Sequence, residues 1–403
     1  MNLLSLTFLV FSALSLGLYW AMPRPSLRQA ALVGVTLVWF AFGVWWHALV
    51  AVAMATTEGL FARWMLARPE DRRGPVLALG VATYLGYFVL FRYLALWTGF
   101  DPAHPETLRW FTPNPLLAPV GLSFMMFEGI AHLADLYLGR SEATGSWWSH
   151  VVFALYYPTR VIGPMRRYED FTRDLETGTK LTPDDAAAAL RGVLLGVAKK
   201  ALLANPLGAF AVFNLQPTLI DGGARAAVML GAVAYWVYLF FDLSGYSDIV
   251  IGLSRLFGVR VPDNFNRPYR ATNISEYWQR WHISLSAWVR DYVYNPLAMR
   301  WRGWSYGAPM ASFCSMVTLG LWHGFELRYL AFGVWHGALL GGFMVYRQRM
   351  QKRKALNKRL AKSRLWSAAG WSFVVVNAVL SHVLFAVPTA AAAWRFYARV
   401  VGR

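Results

Sequence analysis

The chain has 403 residues, of which 57% are hydrophobic and only 15% charged, with 20 Trp, 26 Phe and 19 Tyr. That balance excludes a soluble globular domain and points to a polytopic membrane protein. The formal net charge of +18 would suggest nucleic acid in a soluble chain, but here the basic residues cluster between apolar stretches, as cytoplasmic loops of membrane proteins do, and no nucleic-acid partner is expected.

The first span is expected at 3–22, where MNLLSLTFLVFSALSLGLYWAM lacks a basic n-region and an AxA-like cleavage site. It reads as a retained helix rather than a signal peptide. Further spans are predicted at 29–46, 47–67, 75–97, 115–138, 226–243, 308–323, 328–346 and 366–387. Less regular apolar pieces at 147–163, 186–204 and 206–216 are too short or too polar for simple crossings and suit re-entrant or interfacial helices.

Loop charges set the orientation. The run RQRMQKRKALNKRLAKSR at 347–364 carries nine Lys and Arg and no acidic residue, which puts this loop in the cytoplasm. It acts either as a topology anchor or as a surface for an acidic partner or anionic lipid head groups. Arg24 and Arg28 follow the first span, and Arg63, Arg68, Arg72 and Arg73 the third, so alternating crossings leave the N-terminus outside. The segment TGFDPAHPETLRWFTPN at 98–114 then falls outside, and Arg160, Arg166, Arg167 and Arg173 fall inside.

Several polar motifs stand where lipid is expected. In YLFFDLSGYSDIVIGL, Asp242 and Asp248 continue the span at 226–243. A carboxylate at the bilayer centre costs about 2.5–3.5 kcal/mol, so these acids either line a polar funnel or mark a helix end at the interface. Gly245 permits a bend or a close backbone approach. The loop from Val261 to Thr272 is broken by Pro262 and Pro268, and a helix start is expected near 274. Next, YWQRWHISLSAWVRDY at 277–292 reads as one amphipathic helix. Trp278, Trp281, Leu285, Trp288 and Tyr292 share one side, Arg280, Ala287, Arg290 and Asp291 lie opposite, and His282 sits on the flank of the apolar stripe.

His323 and His336 each stand in a Trp-His-Gly triplet, 13 residues apart, and a turn near Gly324 to Leu327 is predicted to separate two spans. Imidazole titrates near neutral pH, the range in which a general base works best. His282, His323 and His336 lack HExxH or a close His/carboxylate spacing, so no metal is expected at them. Cys314 is the only cysteine and lies in an apolar run, which excludes an internal disulfide and reads as an inert thiol. With no GxSxG elbow, a covalent acyl-enzyme has little support.

The strings PVGLSFMMFEGIAHLADLYLGR at 119–140, GPMRRYEDF at 163–171, FDLSGYSDIVIGLSRLFGVRVPDNFNRPYRATNISEYWQRWHISLSAWVRDYVYNPL at 241–297 and LGLWHG at 319–324 together resemble the membrane-bound O-acyltransferase superfamily, in its bacterial alginate O-acetyltransferase branch. The resemblance implies one all-α membrane domain over 1–403, with a core at about 115–340 and about 9–11 transmembrane or re-entrant helices around a central funnel or tunnel. It implies His323, in the LWHG string, as the catalytic base and His282, in the WHIS string, as its polar companion. Asp248, Asn264, Trp281, Ser284, Arg290, Asp291 and Trp322 would border a tunnel where donor meets acceptor. Arg290 and Asp291 either pair to fix the helix or leave Arg290 to meet a donor phosphate. His336 reads as packing or support.

The activity implied is transfer of an acyl group, with acetyl favoured, from acetyl-CoA or another cytoplasmic acyl thioester to hydroxyls of an exported polysaccharide. No bound cofactor is implied. The implied partners are an acyl-CoA or acyl-carrier protein and a periplasmic acetyltransferase, and the implied location is a bacterial inner membrane. Two other readings stay open: D-alanyl transfer from a carrier protein toward teichoic acid, and, in a different class, a glycan transporter or flippase.

Overall fold

Backbone in lipid has only its own carbonyls to bond to, so each apolar stretch is driven to close its hydrogen bonds within one helix. In the computed structural model, which describes residues 5–41, 45–97, 121–141, 146–177 and 181–402, every regular element is helical. Among the described residues, five helices are long and apolar enough to cross a membrane, over Trp46–Leu66, Glu70–Phe91, Arg225–Leu256, Leu327–Lys352 and Arg364–Ala386. The segment 98–114, expected on the outer side, lies outside the described residues.

Two compact units emerge, Met1–Leu194 with Asp248–Pro262, and Leu195–Ser247 with Asp263–Arg403. The first contains α1 (Leu6–Ala21), α2 (Pro25–Ala41), α3 (Trp46–Leu66), α4 (Arg73–Trp97), α5 (Leu122–Tyr137), α6 (Trp147–Leu155), α7 (Tyr168–Thr177) and most of α8 (Pro183–Ala198). Helices α3, α5 and α6 pack on one another. Their core holds a charge cluster: Glu128 of α5 accepts from the guanidinium groups of Arg160 and Arg166, and Arg166 also donates its backbone N–H to Glu128 Oε1 at 2.9 Å. Both guanidinium groups donate as well to the Phe153 carbonyl, at 3.0 and 2.7 Å. All three side chains are buried. Arg160 and Arg166, counted in the sequence among the residues on the inner side, are buried ion-pair partners of Glu128. Gly121, at φ 78, is required here because a Cβ would stand 2.4 Å from the Arg160 carbonyl oxygen.

After α9 (Asn205–Asn214) and α10 (Pro217–Gly222), the long α11 (Arg225–Leu256) supplies residues to each unit. It passes Gly245 unbroken. A Cβ at Gly245 would lie 2.8 Å from the Gly196 carbonyl, so of the two roles open to this glycine the close approach is the one used. Asp242, half-buried, pairs with Lys200.

The second unit continues through α12 (Ile274–Arg280), α13 (Ile283–Val289), α14 (Asn295–Arg300), α15 (Gly307–His323), α16 (Leu327–Lys352), α17 (Lys354–Ala361), α18 (Arg364–Ala386) and α19 (Ala390–Val400). Asn273 caps α12 by accepting from the Glu276 N–H at 2.9 Å, and the Glu276 carboxylate returns to the Thr272 N–H at 2.9 Å, which explains the helix start expected near 274. The basic stretch 347–364 is not an irregular loop. Lys and Arg are good helix formers, so α16 runs on to Lys352 and, after a break at Arg353, the exposed α17 takes most of the remainder.

Helices α15 and α16 form a tight antiparallel hairpin. Gly333, Gly337 and Gly341 recur every four residues and therefore share one face of α16. A Cβ at these positions would lie 2.7 Å from the Met316 carbonyl, 2.9 Å from the Phe313 carbonyl and 3.0 Å from the Pro309 carbonyl, respectively. Small residues here allow backbone-to-backbone approach, the main source of helix association in lipid. Gly337→Leu should force α15 and α16 apart and destabilise the protein by about 1–3 kcal/mol, read as a lowered thermal midpoint in detergent; an unchanged midpoint would show that the hairpin tolerates separation.

Candidate functional site

His323 is the last residue of α15, and the chain turns at once through Gly324, Phe325 and Glu326 into α16. That is the turn expected between the two Trp-His-Gly triplets. Gly324 is needed because a Cβ would come within 2.8 Å of the Tyr329 ring. Glu326 and Arg328 pair at 2.7 Å, and Arg328, itself buried, donates to the Val387 carbonyl at 2.7 Å, tying the turn to the end of α18. Around the His323 ring stand Trp322, Tyr329, Phe332 and Phe385, with Phe385 edge-on at 4.8 Å. Among the described residues every other histidine is buried, and His323 alone is half-exposed.

His282 departs from the sequence reading. The single amphipathic helix expected over 277–292 breaks at Trp281 and His282, with α12 ending at Arg280 and α13 starting at Ile283. His282 itself adopts the left-handed conformation, φ 44 and ψ 57, which costs a non-glycine residue roughly 1–2 kcal/mol. The cause is Asn264. Its backbone carbonyl accepts from the Ile283 N–H at 2.9 Å, and its side-chain oxygen accepts from the Ser284 N–H at 3.1 Å and the Ser284 hydroxyl at 2.9 Å. Asn266 then donates its N–H to the Arg280 carbonyl at 2.9 Å, so the loop absorbs hydrogen bonds that a continuous helix would have made internally. Side-chain periodicity could not reveal this competition, because the competing groups lie nearly twenty residues upstream.

The break aims His282 at Phe265, ring centroids 6.0 Å apart. From there a run of ring contacts passes through Trp281 (5.2 Å), His382 (5.2 Å) and Phe385 (6.2 Å) to His323 (4.8 Å). His382, on α18, escaped the sequence reading although a lone histidine in the apolar run VLSHVLF was a usable signal. Its Nδ1 donates to the Ala378 carbonyl at 2.7 Å, which fixes the tautomer and leaves the Nε2 lone pair facing away from that bond. His336 is fully buried; the donor-only Trp278 indole reaches its Nδ1 at 3.3 Å, so Nε2 carries the proton and donates to Ser381 Oγ at 2.9 Å. Those bonds give His336 a supporting place.

Of the other residues expected at a tunnel, Asn264, Trp281 and Ser284 lie beside His282 as described, and Trp322 lies against His323. Trp281 lies stacked on Tyr277 at 5.6 Å. Arg290 and Asp291 form an ion pair at 2.9 Å in the wide turn Arg290–Tyr294, with the Arg290 side chain largely exposed. Asp248 belongs to the first unit, half-buried, its backbone carbonyl against Gly192. An open apolar pocket of about 320 Å³ lies at the far end of the α15–α16 hairpin, lined by Trp304, Tyr306, Met310, Phe313 and Val345 among others, and none of the expected site residues borders it.

His282 lies outside the five long apolar helices. Burial pushes its imidazole down to about 4, against a weaker opposing contact with its own backbone, so the ring is neutral at pH 7. In the unfolded chain it would titrate near 6.5. Because the folded value is the lower one, the stability that this group confers is complete above about pH 6.5 and declines as pH falls toward 4. Thermal midpoints in detergent should fall over that window, with a shallower fall in His282→Gly. The same substitution relieves the left-handed strain, whereas His282→Val adds to it, so the valine variant should be the less stable by about 1–2 kcal/mol. Equal midpoints for the two would remove the case for strain.

Comparison with known proteins places these residues in context. The family model described as MBOAT, membrane-bound O-acyltransferase family, matches residues 147–384, a stretch that includes His282, His323, His336 and His382. A protein of Pseudomonas aeruginosa named "Probable alginate O-acetylase" is 32% identical over 401 residues, covering 96% of this chain and 72% of that protein. A teichoic acid D-alanyltransferase of Bacillus subtilis is 28% identical over 264 residues, 64% of this chain and 65% of its own. A peptidoglycan O-acetyltransferase of Helicobacter pylori is 26% identical over 307 residues, 69% of this chain and 55% of its own.

Proposed function

Because the chain belongs to the membrane-bound O-acyltransferase family, and is thus an acyltransferase, we propose that it moves an acetyl group from a cytoplasmic thioester donor, acetyl-CoA, to hydroxyls of an exported polysaccharide, with His323 as the general base. The observation that carries this reading is that His323, alone among the described histidines, is half-exposed, held at a helix end within a wall of aromatic rings. His323 takes the proton from the acceptor hydroxyl as its oxygen attacks the thioester carbonyl. The new C–O bond forms, the C–S bond breaks, and the imidazolium returns its proton to the departing thiolate, which leaves the enzyme unchanged. A neutral His282 supports the site as a polar companion without adding charge. The transferred group and the acceptor class follow the relatives' names, two of which are O-acetylating enzymes of a polysaccharide and of peptidoglycan.

The same reading puts the protein in a bacterial inner membrane, with its N-terminus outside, the basic segment 347–364 in the cytoplasm beside the donor, and a periplasmic acetyltransferase as its partner. The Bacillus relative supports one variation, in which the donor is a D-alanyl carrier protein.

Purified full-length protein incubated with radiolabelled acetyl-CoA and candidate glycans should label the glycan. His323→Gln should abolish transfer, and His282→Ala should lower it by about 10²–10⁴-fold if it tunes the proton transfer, both with unchanged elution on size exclusion. Wild-type transfer by His323→Gln would defeat the assignment. Label accepted only from an aminoacylated carrier protein would replace acetyl-CoA as donor, and passage of glycan with no transfer would favour a transporter.

A further inference from the structure

The first unit holds a second cluster of ionisable groups that the acyl-transfer reading does not use. Glu58 on α3, His132 on α5 and His150 on α6 converge with all three side chains buried. His132 Nδ1 stands 2.7 Å and His150 Nδ1 3.6 Å from the same carboxylate oxygen, Glu58 Oε1, and one ligand atom from each of the three residues lies within 4.8 Å of the others. We propose that Glu58, His132 and His150 form a zinc site.

Three features favour a metal over an incidental polar contact. The donor set is two imidazoles and one carboxylate, a set that binds zinc with one coordination position left open and that iron(II) also accepts, whereas magnesium and calcium favour oxygen donors alone. Tetrahedral zinc with bonds of about 2.0–2.2 Å separates its ligands by roughly 3.3 Å, so these atoms reach it by moving less than about 1 Å each. The rings are also held in place before any ion arrives. Tyr168 of α7 lies on both imidazoles, at 3.9 Å from His132 and 4.8 Å from His150. Gly59 lets the His150 ring lie against α3, since a Cβ there would be 3.1 Å from it. Locked ligand rotamers are what a metal site needs.

His132 falls one turn after Glu128 on the same face of α5, so a single helix carries both the Arg160–Arg166 cluster and the zinc ligand. Three helices that pack on one another would thus be stapled at one point. Because His132 Nδ1–H donates to Glu58 without the ion, zinc must displace protons to bind, and its affinity falls as pH falls.

Tag-free full-length protein, purified in detergent without chelator and dialysed against micromolar zinc, provides the test, with zinc counted by mass spectrometry after digestion. About one zinc per chain is expected, removable by a strong chelator, with a thermal midpoint that drops on chelation and recovers when zinc is restored. Glu58→Gln, His132→Ala and His150→Ala should each lower zinc affinity at least about tenfold, while His323→Gln keeps it. Loading of fewer than about one wild-type chain in ten, or full loading retained in all three cluster variants, would overturn the proposal and leave a hydrogen-bonded cluster only. Should the variants not fold, the stoichiometry and the zinc-dependent midpoint of the wild-type protein decide alone. Neither readout depends on acyl transfer.

Discussion

Backbone amides freed inside a membrane protein must find new acceptors at once, and in this chain Asn264 meets that demand for Ile283 and Ser284. Every property of the region around His282 follows from it. With those amides held from outside, α12 need not continue into α13, and the residue between them can occupy a backbone conformation that its side chain disfavours. The break rotates His282 away from the position it would hold on a continuous helix, toward Phe265, and puts Trp281 between Tyr277 and His382. An asparagine eighteen positions upstream therefore decides where an imidazole points.

Charge follows the same rule in the first unit. Glu128 is sheltered from water, and two guanidinium groups and a backbone N–H surround it. The excess positive charge of that group is softened by the aromatic faces of Phe153, Tyr156 and Phe171, each within 5 Å of the Arg166 guanidinium carbon. Strings that resemblance alone marks as important, PVGLSF and GPMRR, thereby acquire a physical job: glycines that admit close backbone, and arginines that neutralise a core carboxylate.

Much of the fold was legible because hydropathy reports directly on the strongest constraint a bilayer imposes. The spans predicted at 47–67, 308–323 and 366–387 correspond to α3, α15 and α18 within a few residues. What failed depended on pairing across long separations. The continuous helix at 277–292 was lost to Asn264; the loop at 347–364, by contrast, gave way locally to the ordinary helix propensity of lysine and arginine. In the candidate site, His323 and His282 carried motif signals. His382 did not, and its place beside Trp281 and Phe385 comes only from the packing of α18. Glu58, His132 and His150 lie in three separate, mostly apolar stretches, and nothing in their spacing announces that they meet.

The glycine face of α16 leaves an ambiguity that the rest of the hairpin has to resolve. A repeat of four residues looks the same after a slide of one helical turn, about 5.4 Å, so the small-residue seam would accept a shifted partner almost as well as the correct one. Such a slide would carry His323 clear of Phe385. What forbids it is brevity: three residues join α15 to α16, too few to take up the slack, and Arg328 pins the start of α16 to the Val387 carbonyl. Lengthening that connection by a single turn of helix would restore the choice between two alignments, one of them with its imidazole out of place.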